Sequence, residues 1–269
     1  MTPWILLRGL TRESRHWGEF PHHLRDVTGD APVICLDLPG NGQLNHMESL
    51  LSVEAMADYC HAELAIRGIA LPCRVLAMSL GAMVAVAWSQ RHPADIVAAV
   101  LISTSLRPFS PFHQRLRPAN YLRVLHLLAA RVSDEELETA ILGMTTRLVA
   151  EPRTVIQAWL QWRREHPVSA RNALRQLLAA ARYRAPHRNP FDRLLLLAGA
   201  GDTLVDPRCS RTLATRWLVD FALHPAAGHD LPLDDQAWVL ARVHDWRAGK
   251  ETPSPVSYTH LTLPTNREV

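Results

Sequence analysis

Lysine is almost missing from this 269-residue chain: Lys250 stands alone, and the other basic side chains are arginine. Long hydrophobic runs are missing too. No stretch of 18 apolar residues occurs, so no transmembrane helix is expected. The start, Met1-Thr2-Pro3-Trp4, has neither a charged n-region nor a long apolar h-region, which points to a cytoplasmic protein. The four cysteines, Cys35, Cys60, Cys73 and Cys209, are widely spaced and form no C-x-x-C, so reduced, buried thiols are expected rather than disulfides. Fourteen histidines include no H-E-x-x-H or other close metal spacing, so no metal and no cofactor are expected. A net charge of +3 is too small to suggest a nucleic-acid partner.

That charge is unevenly distributed. Residues 107–188 hold 14 Arg and no Lys against 6 Asp and Glu, a local +8 that leaves −5 for the remainder. The apolar fraction, 48%, is ordinary for a globular protein, and the length suits one large domain or a domain with an insertion.

The most telling stretch is Ala77-Met78-Ser79-Leu80-Gly81. It follows a mostly apolar run, 73–78, and opens a helical run, 80–91. A serine flanked at −2 and +2 by tiny residues, at a strand-to-helix junction, fits the sharp turn that exposes a nucleophilic hydroxyl. The turn brings strand and helix together, so only small side chains fit on either side.

Around it the pattern is regular. Buried strands are expected at 4–7, 32–38, 73–78 and 96–103, alternating with helices at 16–27, 52–67 and 80–91. Ser52 is a good N-cap for the second helix and Gly68 its stop. Continuous apolar strands alternating with helices argue for a parallel sheet covered on both faces. The rhythm breaks over 107–188, where only helical segments appear, at 118–130, 134–149, 153–165 and 169–181. It resumes with strands at 194–198 and 220–223 and helices at 206–217 and 233–246. The expected fold is α/β: a mostly parallel central sheet of about six strands, helices on both faces and a helical insertion. The core comprises 1–106 and 189–249, the insertion 107–188, and 250–269 is a linker and tail. Residues 256–265 closely resemble an in-frame translation of a transposon-end adapter used in DNA sequencing libraries. Residues 256–269 are therefore expected to be non-native, with the native C-terminus missing; the competing reading is a threonine-rich tail.

A serine hydroxyl needs a base within hydrogen-bond reach, and the base needs an orienting acid. On a parallel sheet these groups follow the carboxyl ends of successive strands. Asp202 lies in the loop after the 194–198 strand, and His229 in a small-residue loop before the last helix. The chain order Ser79, Asp202, His229 is the one this architecture expects. Taken singly, Asp202 is equally a turn former and His229 a surface histidine, and Asp206, Asp230 and His224 are nearby substitutes. The oxyanion hole should combine the backbone N–H of Leu80, after the serine, with that of Leu10, in the loop after the first strand.

With these residues in view, the chain resembles an α/β-hydrolase-fold serine hydrolase over nearly all of 4–247. The resemblance rests on Leu6-Leu7-Arg8-Gly9, Asp37-Leu38-Pro39-Gly40-Asn41-Gly42, Met78-Ser79-Leu80-Gly81, Gly201-Asp202-Thr203-Leu204-Val205 and Gly228-His229. It implies that 107–188 is a helical cap over the active site. There are three departures. Arg8 stands where His usually precedes Gly, which bears on how the oxyanion loop is braced; Ala77 replaces the commoner Gly; and the usual first hairpin is absent or lost upstream.

The reaction expected is acyl transfer followed by hydrolysis of a small-molecule carboxylic ester or thioester. The same triad can run a C–C bond hydrolase or lyase of the menaquinone or aromatic-degradation type, and a catalytically silent binding protein is the third class. A serine at this position argues against the dehalogenases and epoxide hydrolases of the fold, which use aspartate there. Met144, Trp159, Trp162, Leu127 and Leu128 of the insertion line an apolar acyl pocket or simply bury helix against helix. Its arginines either attract an anionic substrate or an acidic carrier protein, or form a solvated surface in an arginine-preferring proteome; we favour the second.

Overall fold

A computed structural model describes residues 1–129 and 132–250. The tail 251–269, including the adapter-like stretch, lies outside the described residues, as does Ala130 at the end of one expected helix. Six strands form a single all-parallel sheet: β1 (Trp4–Leu7), β2 (Val33–Leu36), β3 (Cys73–Met78), β4 (Ile96–Ile102), β5 (Leu194–Gly199) and β6 (Asp220–His224). Their order is β2-β1-β3-β4-β5-β6.

Both faces of the sheet are buried, which is why its strands read as continuous apolar runs. Because side chains alternate along a strand, Ile5, Leu7, Val75, Ala77, Leu101 and Leu196 enter one core, and Trp4, Leu6, Leu76, Met78, Val100 and Leu197 enter the other. Helices α2 (Val53–Ile66), α3 (Leu80–Arg91) and α9 (Arg208–Trp217) cover the first face through Met56, Trp88 and Leu213. Helices α1 (Phe20–Val27) and α11 (Gln236–Arg247) cover the second through Phe20, Leu24, Val239 and Val243. Each such large aliphatic or aromatic side chain contributes roughly 1.5–3 kcal/mol by leaving water.

Between β4 and β5 the described residues form no strand but a 3-10 turn, Pro118–Asn120, and five helices: α4 (Phe112–Arg115), α5 (Tyr121–Ala129), α6 (Asp134–Thr145), α7 (Pro152–Glu165) and α8 (Ala170–Arg182). Its two ends meet, with Ala185 N–H donating to the Arg107 carbonyl at 2.7 Å.

Local chemistry shifts some expected boundaries. The single helix expected at 16–27 is broken: a 3-10 turn, Ser14–Trp17, ends at Gly18, whose φ of 53° is open to glycine, and α1 begins at Phe20. The last helix is likewise two pieces, a short α10 (Leu231–Asp234) and then α11, whose start is capped by the Asp235 side chain accepting from Trp238 N–H. Helix α9 begins at Arg208 rather than at 206. All four cysteines are free; burial pushes their thiols up, Cys209 to about 11, so none is an activated nucleophile.

Candidate active site

The sheet order reverses between β1 and β3: the chain steps outward from β1 to β2, then returns to add β3 on the other side. At such a switch point the loops leaving two neighbouring strands diverge and open a crevice beyond their carboxyl ends. Arg8-Gly9-Leu10 leaves β1 there, and Ser79 leaves β3.

Ser79 has φ 52° and ψ −117°, a backbone state that costs a non-glycine residue about 1–3 kcal/mol. The bend is held on both sides: Ser79 N–H donates to the Ile102 carbonyl of β4, and the Ser79 carbonyl accepts from Ala82 and Met83 in the first turn of α3. Gly81 is required because a Cβ there would sit 2.6 Å from the main-chain oxygens of both Leu7 and Arg8. Ala77 is fully buried in the strand, and its methyl is accommodated. Ser79 itself remains partly exposed.

The loop after β1 runs beside the serine. A Cβ on Gly9 would lie 3.2 Å from Ser79 Cβ and 3.8 Å from its Oγ. The next N–H but one, that of Thr11, donates to Gln176 Oε1 of α8 at 2.8 Å. Among the described residues, the N–H groups of Leu10 and Leu80 donate to no protein acceptor. The buried Gln176 amide also bonds Asn41 Oδ1 at 2.8 Å and Ser49 Oγ at 2.9 Å, so a helix of the inserted segment steadies this loop.

Asp202 and His229 meet beyond the ends of β5 and β6. Asp202 Oδ2 lies 2.7 Å from His229 Nδ1, and both side chains are buried. A carboxylate only accepts, so Nδ1 carries the proton and Nε2 keeps its lone pair. Asp202 Oδ1 accepts from Leu204 and Val205 N–H at 2.8 and 2.9 Å, which fixes the carboxylate. His229 Nε2 is buried and has no hydrogen-bond partner among the described residues. Burial alone would pull the imidazole pKa down, but the Asp202 charge and hydrogen bond, with Asp230, hold it above the ordinary histidine value. Glycine permits the close approach of these loops: a Cβ on Gly199 would lie 2.1 Å from the Ala227 carbonyl oxygen.

The nearby substitutes are engaged elsewhere. Asp206 pairs with Arg208 at 2.6 Å. His224 Nδ1 accepts from Ala226 and Ala227 N–H, and its Nε2 lies 3.2 Å from Asp235. Asp230 forms a buried pair with Arg8, the guanidinium meeting its two carboxylate oxygens at 2.5 and 3.3 Å. Arg8 had a signal, its place where His is usual, but its partner lies too far along the chain for any spacing rule to find.

A second buried pair joins Arg12, in the loop after β1, to Glu138 of α6 at 2.7 Å. The Arg12 guanidinium stacks over Trp159 of α7 at 4.1 Å. Beside it His16 is held well below the ordinary histidine value by burial and by the Arg12 and Arg8 cations, so it is neutral. A small cavity lies here, lined by Thr11, Arg12, His16, Glu138, Trp159 and Trp162.

Among the described residues, His61, His92 and Asp95 bring three potential metal-ligand atoms within 4.8 Å of one another. The two imidazoles stack in parallel at 3.9 Å and 4°, so their lone pairs run side by side instead of converging on one ion. Asp95 Oδ2 already receives His61 Nδ1 and Trp88 Nε1, each at 2.7 Å. The cluster braces α2 against α3. No helix among the described residues is long and apolar enough to cross a membrane.

A model of the alpha/beta hydrolase family matches residues 4–242. No curated protein matches the sequence. Among solved structures, a thermophilic esterase from Thermogutta terrifontis superposes with a TM-score of 0.70 at 19% identity, covering 93% of this chain and 90% of that one. The esterase RhEst1 from Rhodococcus sp. ECU1013 gives 0.73 at 21%, covering 93% and 91%. A hydrolase from Pseudomonas aeruginosa PA01 gives 0.72 at 17%, covering 91% and 90%. At such identities the likeness is one of fold, and with the family match over most of the sequence it agrees with the six-stranded parallel sheet: the chain belongs to the alpha/beta hydrolase family.

Proposed function

We propose that this hydrolase cleaves a small carboxylic ester or thioester through an acyl-enzyme intermediate, with Ser79, His229 and Asp202 as its triad. The observation that carries the proposal is the buried His229–Asp202 contact at 2.7 Å, on the sheet edge where Ser79 is held at positive φ. In this reading His229 Nε2 takes the Ser79 proton as the hydroxyl attacks the carbonyl carbon. The oxygen becomes an oxyanion facing the N–H groups of Leu10 and Leu80, which have no competing acceptor among the described residues. His229 returns the proton to the leaving group, and water repeats the sequence to release the acid. Asp202 fixes the tautomer and stabilises the imidazolium.

The helical segment 107–188 acts as the cap in this proposal. Several of its arginines are engaged. Arg163 pairs with Asp134, Arg171 and Arg175 pair with Glu48, Arg115 donates to the Ala180 carbonyl, and Arg117 donates to the Asp202 carbonyl. Pairing with a carboxylate removes most of an arginine's long-range field, so Arg163, Arg171 and Arg175 offer little attraction to an acidic carrier protein, in keeping with a neutral acyl substrate.

Asp202→Asn tests the assignment. Turnover of p-nitrophenyl acetate should fall about 100- to 10,000-fold in kcat. A change confined to KM would mean that another carboxylate orients the base. Running the wild type against a panel of C–C bond substrates decides between ester and carbon–carbon chemistry.

A further inference from the structure

Arg8 and Asp230 flank the two functional loops in a way the triad alone does not require. Arg8 immediately precedes Gly9 and Leu10; Asp230 immediately follows His229. Both side chains are at least nine-tenths buried, and the Arg8 guanidinium also lies over the Trp17 ring, 4.7 Å from its centre. A buried carboxylate beside a general base would hold that base in its protonated, inactive form. A buried guanidinium nearby does the opposite.

We propose that Arg8 is a positioning residue whose buried ion pair with Asp230 ties the oxyanion loop to the base loop and offsets the second carboxylate beside His229. The inference rests on the triad reading above. His229 faces Asp202 from the loop after β5, Asp230 from its own loop and Arg8 from the loop after β1. Arg12 feels the charges of both Arg8 and Asp230. Asp234, from α10, is taken up by the N–H groups of Gly228, Arg147 and Leu148, and Arg117 reaches the main chain of Asp202 rather than the imidazole. Removing either member of the pair therefore exposes His229 to the charge of the other. The two single substitutions should shift the imidazole in opposite directions.

The test is an NMR pH titration of the His229 ring in the full chain, for wild type, Arg8→Gln, Asp230→Asn and the double variant. Arg8→Gln should raise the His229 pKa by about half a unit to one unit, and Asp230→Asn should lower it by a similar amount. The double variant should return close to wild type. Asp230→Asn keeps the size of the side chain, so its reading stands even where Arg8→Gln folds poorly. Shifts of the same sign, or none in Asp230→Asn, would overturn the proposal, since a merely structural contact leaves the titration in place. Fluorophosphonate labelling of wild-type Ser79 is run alongside. Its absence would sink the triad reading, while the titration still reports on the pair.

Discussion

Among single residues, the proposed chemistry turns on protonation and on close approach. In the proposed mechanism His229 must be neutral at Nε2 to take the Ser79 proton, and its pKa lies above the ordinary histidine value because Asp202 outweighs burial. The sign follows directly. Activity should be low where the imidazole is protonated and should rise with pH through that raised pKa. The acid limb of kcat/KM for p-nitrophenyl acetate should therefore lie above about 6.5. A limb below 6 would mean that some other group is the base. Ser79 and His229 were legible because their local patterns have a mechanical cause: a strand, a turn that tolerates only small neighbours, and a helix. Asp202 was legible only by its place after β5. What set it apart from Asp206 and Asp230 was three-dimensional, since each of those has an arginine partner.

Between elements, the inserted helices are fastened to the loops of the site. Arg12 is fixed by Glu138 of α6 and Trp159 of α7, and Thr11 N–H by Gln176 of α8. On the other side, Asp230 N–H donates to the Thr145 carbonyl at the end of α6. Glu138 is only 2% exposed, so Glu138→Ala leaves Arg12 charged, buried and unpaired. That should cost about 3–5 kcal/mol in urea-unfolding stability, whereas exchanging both partners for well-packed apolar residues should be near neutral or stabilising. A loss under 1 kcal/mol for Glu138→Ala would show that water reaches the guanidinium. The helical character of this segment was plain from spacing, but its attachments were not, because buried polar pairs join residues far apart in sequence. Strands were easier to read than helix ends: an apolar run such as Leu194-Leu195-Leu196-Leu197 has one good use in a two-sided parallel sheet, whereas Gly18 and Asp235 restart helices within stretches that look continuous.

Taken whole, the proposed site has Ser79 where the sheet order reverses, Asp202 and His229 brought from beyond the ends of β5 and β6, and the helical segment 107–188 as its cap. The concentration of arginine in 107–188 looks, in the sequence alone, like a basic face, yet many of these side chains pair with acids or carbonyls. The rate on a neutral ester and the rate on an ester bearing a carboxylate should accordingly respond alike to salt between 20 and 500 mM, within about twofold. A steep fall for the anionic ester alone would restore a steering role to the arginines. If Ser79 is the one activated nucleophile, mass spectrometry after fluorophosphonate treatment should find a single modification on Ser79, abolished in Ser79→Ala and slowed in Asp202→Asn. Modification at another serine, persisting in Ser79→Ala, would contradict it.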